Sequence, residues 1–141
     1  MTIGANLAKN WHQVCANGES VALFFYSHLA LTRPDIRALF GVDMTTQRDR
    51  FVTAFGHIVA SAHDVTAIGP YLRRLGQAHA DWGARPEHYP AMGASLFATL
   101  AQFLGTAWTP AVARDWHEAY QRISEVMIDG ALAAEQPGLS A

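Results

Sequence analysis

Residues 75–89 read LGQAHADWGARPEHY and place a histidine at the end of the apolar face of a predicted helix. The spacing of three or four residues puts one stripe of side chains on that face: Val65, Ile68, Leu72, Leu75 and His79. Gly83 then breaks the helix, and Pro86 is well placed as the first residue of the next one. The stripe therefore predicts that His79 points into the interior of a helical protein.

Helical periodicity extends from this stretch to the rest of the chain. No segment alternates apolar and polar residues between hairpin turns, and no repeat with a period of roughly 20 to 50 residues is present. The predicted helices run from Ala5 to Ala16, from Glu19-Ser20 to Arg33-Pro34, from Pro34 to Leu39, from a Thr45 or Thr46 cap to Ala62, from about Asp64, from Pro86, and from Thr109-Pro110. The sequence therefore predicts an all-α fold of about six to seven helices.

Length and composition narrow the class of protein. A chain of 141 residues is expected to form one domain, which we place at residues 1–133, with a frayed tail at 134–141. Half of the residues are hydrophobic and the net charge is −2, so neither nucleic acid nor an anionic membrane is an expected partner. No apolar stretch reaches the roughly 20 residues of a membrane span. The single cysteine, Cys15, forbids an internal disulfide, and we expect a cytoplasmic protein.

Among the seven histidines, His79 is the strongest candidate for a ligand. A histidine on an apolar face is more often structural than functional, so both interpretations stay open at this point. A neutral imidazole facing a cavity is, however, the proximal ligand that haem iron takes, and Phe40, Phe51 and Leu75 could wall the macrocycle. Tyr26 and Gln47, on two other helices, offer hydrogen-bond donors to a bound gas. Hydrolase sites are disfavoured, because the chain has no His-Glu-x-x-His and no Gly-x-Ser-x-Gly motif.

Six short motifs together resemble the globin domain of bacterial flavohaemoglobins and of their single-domain relatives, such as Vitreoscilla-type haemoglobin. The motifs are FYSHL (25–29), RPDI (33–36), LF (39–40), QR (47–48), LGQAH (75–79) and PEHYP (86–90). Each motif is weak alone, but the set spans nearly the entire chain. The resemblance implies a globin fold around a pocket for haem b, iron protoporphyrin IX.

The resemblance also assigns roles to the site residues. His79 would be the proximal metal ligand, and Phe40 would stack on the porphyrin. Tyr26 and Gln47 would be the distal donors, although the alternative for Tyr26 is a core tyrosine and for Gln47 a residue facing water. The remaining cofactor-binding candidates are Phe51 over the iron, Leu75 in the wall, Tyr89 as the residue that positions His79, and Arg50 on a haem propionate, with a solvated surface charge as the equal alternative for Arg50.

Two departures from the flavohaemoglobin pattern bear on function. In that family, a glutamate late in the last helix joins the proximal histidine and tyrosine. The matching position in this sequence is Ala133. The connection from Phe40 to Gln47 is also shorter than in flavohaemoglobins, and the sequence ends at Ala141 without a flavin or nicotinamide domain, so a flavin-dependent reductase is expected to be a separate protein.

The expected function is reversible binding of O2, and of NO and CO, at a five-coordinate haem for oxygen binding or delivery. Two alternatives stay open: detoxification of nitric oxide by a dioxygenase reaction that depends on a separate reductase, and a haem-based gas sensor. The sequence leaves the oligomeric state open between a monomer and a homodimer.

Overall fold

The structure is a computed structural model that describes residues 3–40, 45–60 and 67–134. Within those ranges the chain forms seven α-helices and no strand, which confirms the predicted all-α fold. The helices are α1 (Ile3–Cys15), α2 (Ser20–Thr32), α3 (Pro34–Arg37), α4 (Thr45–Ala60), α5 (Gly69–Asp81), α6 (Tyr89–Leu104) and α7 (Pro110–Ala134). Single 3-10 turns occupy Ala38–Phe40, Pro86–His88 and Gly105–Ala107. None of the described helices combines the length and apolar character needed to cross a bilayer.

Several helix ends lie where local chemistry predicts them. After α1, Gly18 adopts a φ of +65°, a left-handed conformation that glycine reaches at little cost. α2 ends at Thr32 because Arg33 precedes a proline, and Arg33 has a non-helical ψ of 73°. At the start of α7, the Val112 N–H donates to the Thr109 Oγ1 at 3.2 Å, as expected of an N-cap threonine.

Two predicted helix starts are wrong, and prolines explain both. α5 begins at Gly69 rather than near Asp64, which lies outside the described residues, and Ile68 is in a turn. A longer helix would place Pro70 in its interior, where the ring would clash with the carbonyl four residues earlier. Likewise Pro86 opens a 3-10 turn and α6 begins at Tyr89, which keeps Pro90 in the first helical turn.

Buried side chains form two groups on either side of an interior cavity. The larger group draws on α1, α2, α3, α4, α6 and α7 and includes Trp11, Phe25, Tyr26, Leu100 and Trp116. The smaller group connects α5 and α7 with the end of α4 and the start of α6 and includes Ile58, Leu72, Tyr89 and Met127. The helices therefore enclose a space between these two groups instead of closing on a single continuous core.

Among the described helices, α5 and α7 pack against each other most extensively, and their packing depends on two glycines. A Cβ atom at Gly76 would overlap the backbone of Met127, and a Cβ atom at Gly130 would lie 2.6 Å from the Arg73 Cα. From the first contact to the second, the residue number falls along α5, from Gly76 to Arg73, and rises along α7, from Met127 to Gly130. The two helices are therefore antiparallel. The close approach fixes the position of α5, and with it the position of His79.

Candidate functional site

The interior cavity brings most of the predicted site residues together. Its volume is about 740 Å³, within the range of roughly 300–1,000 Å³ that is usual for cofactor and small-molecule sites. Seven predicted residues line it: Tyr26, Phe40, Arg50, Phe51, Leu75, His79 and Tyr89. The eighth, Gln47, lies in the first turn of α4, but its side chain is outside the described part of the chain.

His79 presents one imidazole nitrogen in a defined chemical state. Its Nδ1 lies 2.8 Å from the Leu75 carbonyl oxygen in the preceding turn of α5. Because a carbonyl only accepts, Nδ1 must carry the proton, and Nε2 is left with the lone pair that binds a metal. Burial lowers the pKa of His79, although the bond to Leu75 acts in the opposite direction. The ring is therefore held neutral, in the tautomer that ligates through Nε2.

Aromatic rings make up one wall of the cavity. The Phe51 ring stacks on Phe25 with centroids 4.4 Å apart, and it meets the Tyr26 ring edge-on at 5.7 Å. Tyr26 in turn contacts the Phe40 ring edge-on at 5.3 Å. Such a wall is apolar and closely packed, and it suits an apolar macrocycle better than a polar substrate.

The ring of Tyr26 lies within this apolar wall. Tyr26 is buried in α2, and only 6% of its surface is exposed. The rings of Phe25, Phe40 and Phe51 surround it, with the Phe25 centroid at 4.9 Å. A phenol in these surroundings can interact with a small polar ligand from which bulk water is excluded.

Two further aromatic residues flank His79. The Trp82 ring centroid lies 5.1 Å from the imidazole centroid, and that of Tyr89 lies 6.5 Å away. Burial raises the pKa of Tyr89, so its phenol stays protonated at neutral pH. The Tyr89 backbone carbonyl accepts a 2.7 Å hydrogen bond from the Tyr120 hydroxyl, which ties the start of α6 to α7.

The mouth of the cavity carries the charged groups. Arg50 is exposed on α4 and lines both the main cavity and a smaller adjoining one of about 210 Å³. Asp49 is the acidic residue among the described cavity-lining residues. Ala133, matched by sequence to the late-helix glutamate, is exposed near the end of α7 and does not line the cavity.

Trp82 and Ser124 line the cavity but are absent from the predicted site residues, and His57, which the sequence offers as a possible sixth ligand of the iron, lines it as well. Trp82 adjoins the key histidine in the quoted stretch, so its proximity could have been noticed. His57, which packs edge-on against Tyr71 at 4.7 Å, lies near the apolar stripe of α4 but is itself exposed. Nothing in the local sequence marks Ser124, because its place in the site depends on how α7 packs against α5.

The donor set fits a cofactor that brings its own metal ligands. Within the described ranges, no three His, Cys, Asp or Glu side chains come close enough together to hold a metal ion. One neutral imidazole can complete the coordination of a metal that a macrocycle already holds. The apolar rings and the single nitrogen donor are thus consistent with a metalloporphyrin site.

Comparison with protein families matches the sequence profile of the family described as Globin to residues 23–127. A protein from Rhodopirellula baltica named "Flavohemoprotein" is 28% identical over 135 residues, which cover 89% of this chain and 32% of that protein. The chain spans about a third of the length of the curated relatives it matches.

Solved structures support the same fold. A bacterial globin from Campylobacter jejuni superposes with a TM-score of 0.82 at 19% identity and covers 95% of this chain and 97% of its own. A flavohemoglobin from Malassezia yamatoensis, with bound FAD and heme, superposes with a TM-score of 0.67 at 22% identity. That alignment covers 94% of this chain and 37% of the other. At these low sequence identities, the structural similarity shows the fold alone.

Proposed function

The chain belongs to the globin family, and from that premise we propose that it holds haem b in its interior cavity and binds O2 reversibly there. NO and CO are further ligands of the same site. We assign the globin domain to residues 1–133 and the protein to the cytoplasm, in keeping with its single cysteine and its composition. Haem iron supplies the centre that takes up the gas, while the residues of the chain orient the group and select among ligands.

The observation that carries the proposal is the state of His79. Its Nδ1–H is held by the Leu75 carbonyl at 2.8 Å, and the ring lines a cavity walled by Phe40 and Phe51. A fixed ring loses little freedom when Nε2 binds a metal, and the bonded Nδ1–H raises the basicity of that nitrogen. His79 is accordingly the proximal ligand in this proposal.

The other site residues take complementary roles. Phe40 and Phe51 pack against the faces of the macrocycle, Leu75 closes the wall, and Tyr89 limits the rotation of the His79 ring. Tyr26 and Gln47 donate hydrogen bonds to the gas. Arg50, exposed at the mouth, pairs with a propionate there.

The direct test replaces His79 with glycine and measures haem uptake by absorption spectroscopy. We expect the wild-type chain to take up one haem and to show the spectrum of a histidine-ligated ferrous globin. His79→Gly should lose that spectrum and regain it when free imidazole is added, because imidazole fills the space left by the side chain. His57→Ala is the matched control, since His57 lines the same cavity.

The control separates the two histidines. Under the proposal, His57→Ala keeps the proximal ligand and its spectrum. Unchanged bands in His79→Gly without imidazole would reject the assignment of His79, and failure of the wild-type chain to bind haemin would reject the proposal as a whole.

A second candidate function is oxidation of nitric oxide to nitrate with a separate flavin-dependent reductase. It is favoured by the likeness to proteins named "Flavohemoprotein", of which this chain matches about a third. The lack of a carboxylate beside His79 among the described cavity-lining residues weighs against it. Steady-state consumption of nitric oxide, measured with and without an added flavin reductase, separates catalysis from simple binding. A gas sensor is the third alternative, which the sequence leaves open.

A further inference from the structure

The hydroxyl of Ser124 is the one buried side-chain polar atom in the described part of the chain that makes no hydrogen bond. Ser124 lies on α7, is 8% exposed and lines the interior cavity. Burying a hydroxyl without a partner costs free energy, so an isolated case in a folded protein calls for an explanation, such as a role in function or a bound water.

The packing of α5 on α7 places this hydroxyl opposite His79. Arg73 meets Gly130, and three residues further along α5, Gly76 meets Met127 three residues earlier on α7. Because the helices are antiparallel, the next step of three residues on each brings His79 and Ser124 to the same level. Both side chains also line the same cavity, which the two helices border.

The neighbouring polar groups leave Ser124 available to His79. The Tyr120 hydroxyl donates its proton to the Tyr89 carbonyl at 2.7 Å, so that proton is already engaged. Burial raises the pKa of Tyr120, and the Ser124 hydroxyl, one turn further along α7, acts in the opposite direction. The two hydroxyls are therefore neighbours, but they do not form a hydrogen bond with each other. The His79 Nδ1–H has one acceptor, the Leu75 carbonyl.

We propose that Ser124 is a positioning residue for His79: its hydroxyl is linked to the Nδ1–H through one buried water, which accepts from that N–H alongside the Leu75 carbonyl. Such a water requires a polar site with two or more partners, and Ser124, His79 and Tyr120 provide them. The consequence for gas binding rests on the proposed function, in which His79 is the metal ligand. The contact itself is a property of the haem-free chain.

Such a contact acts through the imidazole on its metal. A second acceptor on Nδ1–H restricts rotation of the ring about its bond to the helix and increases electron density at Nε2. A more basic Nε2 binds iron more strongly and favours the ferric state. Ser124 thereby gives His79 a hydrogen-bonding partner on α7 that brings no charge into the cavity.

The test compares Ser124→Ala with a matched control, Ser95→Ala. Ser95 is also fully buried on a helix, but its hydroxyl bonds to His28 at 2.8 Å and it does not line the cavity. In the haem-free chain, nitrogen-15 NMR of the His79 ring should show faster exchange of the Nδ1 proton in Ser124→Ala, with no change in Ser95→Ala.

The haem-loaded protein gives a second readout by resonance Raman spectroscopy and redox titration. Ser124→Ala should lower the iron–histidine stretching frequency. It should also shift the one-electron reduction equilibrium about threefold toward the ferrous state, which is about 28 mV at 59 mV per tenfold. Ser124→Thr, which keeps the hydroxyl, should restore both quantities toward the wild-type values.

The outcomes distinguish this inference from the proposed function. A wild-type chain that binds no haemin, but in which Ser124→Ala alters the His79 ring, would reject haem binding and retain the contact. A chain that binds haem through His79, with ring exchange, Raman band and potential all unchanged in Ser124→Ala, would overturn the role of Ser124. A haem-free Ser124→Ala that is merely more stable, with the His79 ring unaffected, would also overturn it.

Discussion

At the scale of single residues, the Tyr26 side chain is buried and its ring packs among phenyl rings, where water competes little for hydrogen bonds. We predict that Tyr26→Phe raises the O2 dissociation rate roughly 10- to 150-fold. That range corresponds to a loss of about 1.5 to 3 kcal/mol for a hydrogen bond to a partly charged acceptor. The rate for CO should change less, because CO carries less charge on its outer atom. Stopped-flow ligand displacement measures both rates.

Tyr71→Phe provides the control for this prediction, because Tyr71 also lines the cavity but lies on α5 beside His57. Its O2 dissociation rate should stay near the wild-type value. An O2 rate in Tyr26→Phe within a factor of about two of wild type would contradict the distal role of Tyr26, since even a weak hydrogen bond exceeds that factor.

Cys15 gives a residue-scale prediction on pH. The side chain is half-buried at the end of α1, and desolvation raises the pKa of its thiol above the ordinary value of 9.0. Since the thiolate is the reactive form, alkylation of the folded chain should be slower at every pH below that pKa than in the urea-unfolded chain. The alkylation rate of the folded chain should also begin to rise at a higher pH than that of the unfolded chain. Equal rates in folded and unfolded protein, followed by mass spectrometry, would contradict the burial of this thiol.

At the scale of helices, the apolar stripe predicts which face of α5 is buried, because side chains three and four residues apart share a face. That reasoning identified Leu72 and His79 as inward-facing residues. The start of the helix was harder to predict, because the period continues through Ile68, whereas Pro70 is tolerated only in the first turn of a helix and α5 begins at Gly69. The apolar pattern thus predicts which face of α5 is buried, whereas the steric demands of the proline limit where the helix can start.

Relations between helices set the limit of sequence reasoning at the site. The aromatic motifs at 25–29 and 39–40 and the histidine at 79 could be assigned to one pocket through resemblance to a family. Ser124 could not, since its position opposite His79 follows from the register in which Gly76 and Gly130 let α7 approach α5. A register between two helices distant in sequence leaves no periodic signal in either one.

The same close approach gives a prediction for Gly76. A Cβ atom there would overlap the Met127 backbone, so Gly76→Ala must push α5 and α7 apart. We expect a loss of about 1–3 kcal/mol in the free energy of unfolding, as is typical of an overpacked core. Haem affinity should fall as well, because His79 lies one turn away on α5. Urea unfolding and haemin titration measure the two effects.

Gly56→Ala is the matched control, since a Cβ atom on this α4 glycine would meet only the Trp11 Nε1, at an ordinary 3.5 Å. Alanine should stabilise the helix there by about 0.4–1 kcal/mol through the unfolded state. Equal and small effects of both substitutions would mean that α5 and α7 do not pack as closely as the structure has them.

At the scale of the whole molecule, a cavity of about 740 Å³ separates the two groups of buried side chains. A group that fills an apolar cavity gains packing contacts with the side chains that line it. Folding and cofactor binding should therefore be coupled, because a group that fills the cavity contacts both buried groups at once. The haem-free chain is expected to be the less stable form.

This coupling yields the last prediction, on haemin and the stability of the entire chain. A ligand that binds only the folded state raises the free energy of unfolding by about 2.7 kcal/mol at 100 times its dissociation constant. Beyond saturation, each further tenfold rise in free haemin should add about 1.4 kcal/mol. Urea unfolding at a series of free haemin concentrations measures this slope. In His79→Ala the same slope should begin only at higher haemin, because loss of the nitrogen ligand weakens binding without removing the apolar walls. A wild-type midpoint that does not move with haemin, or that moves identically in His79→Ala, would mean that haemin does not bind through this histidine.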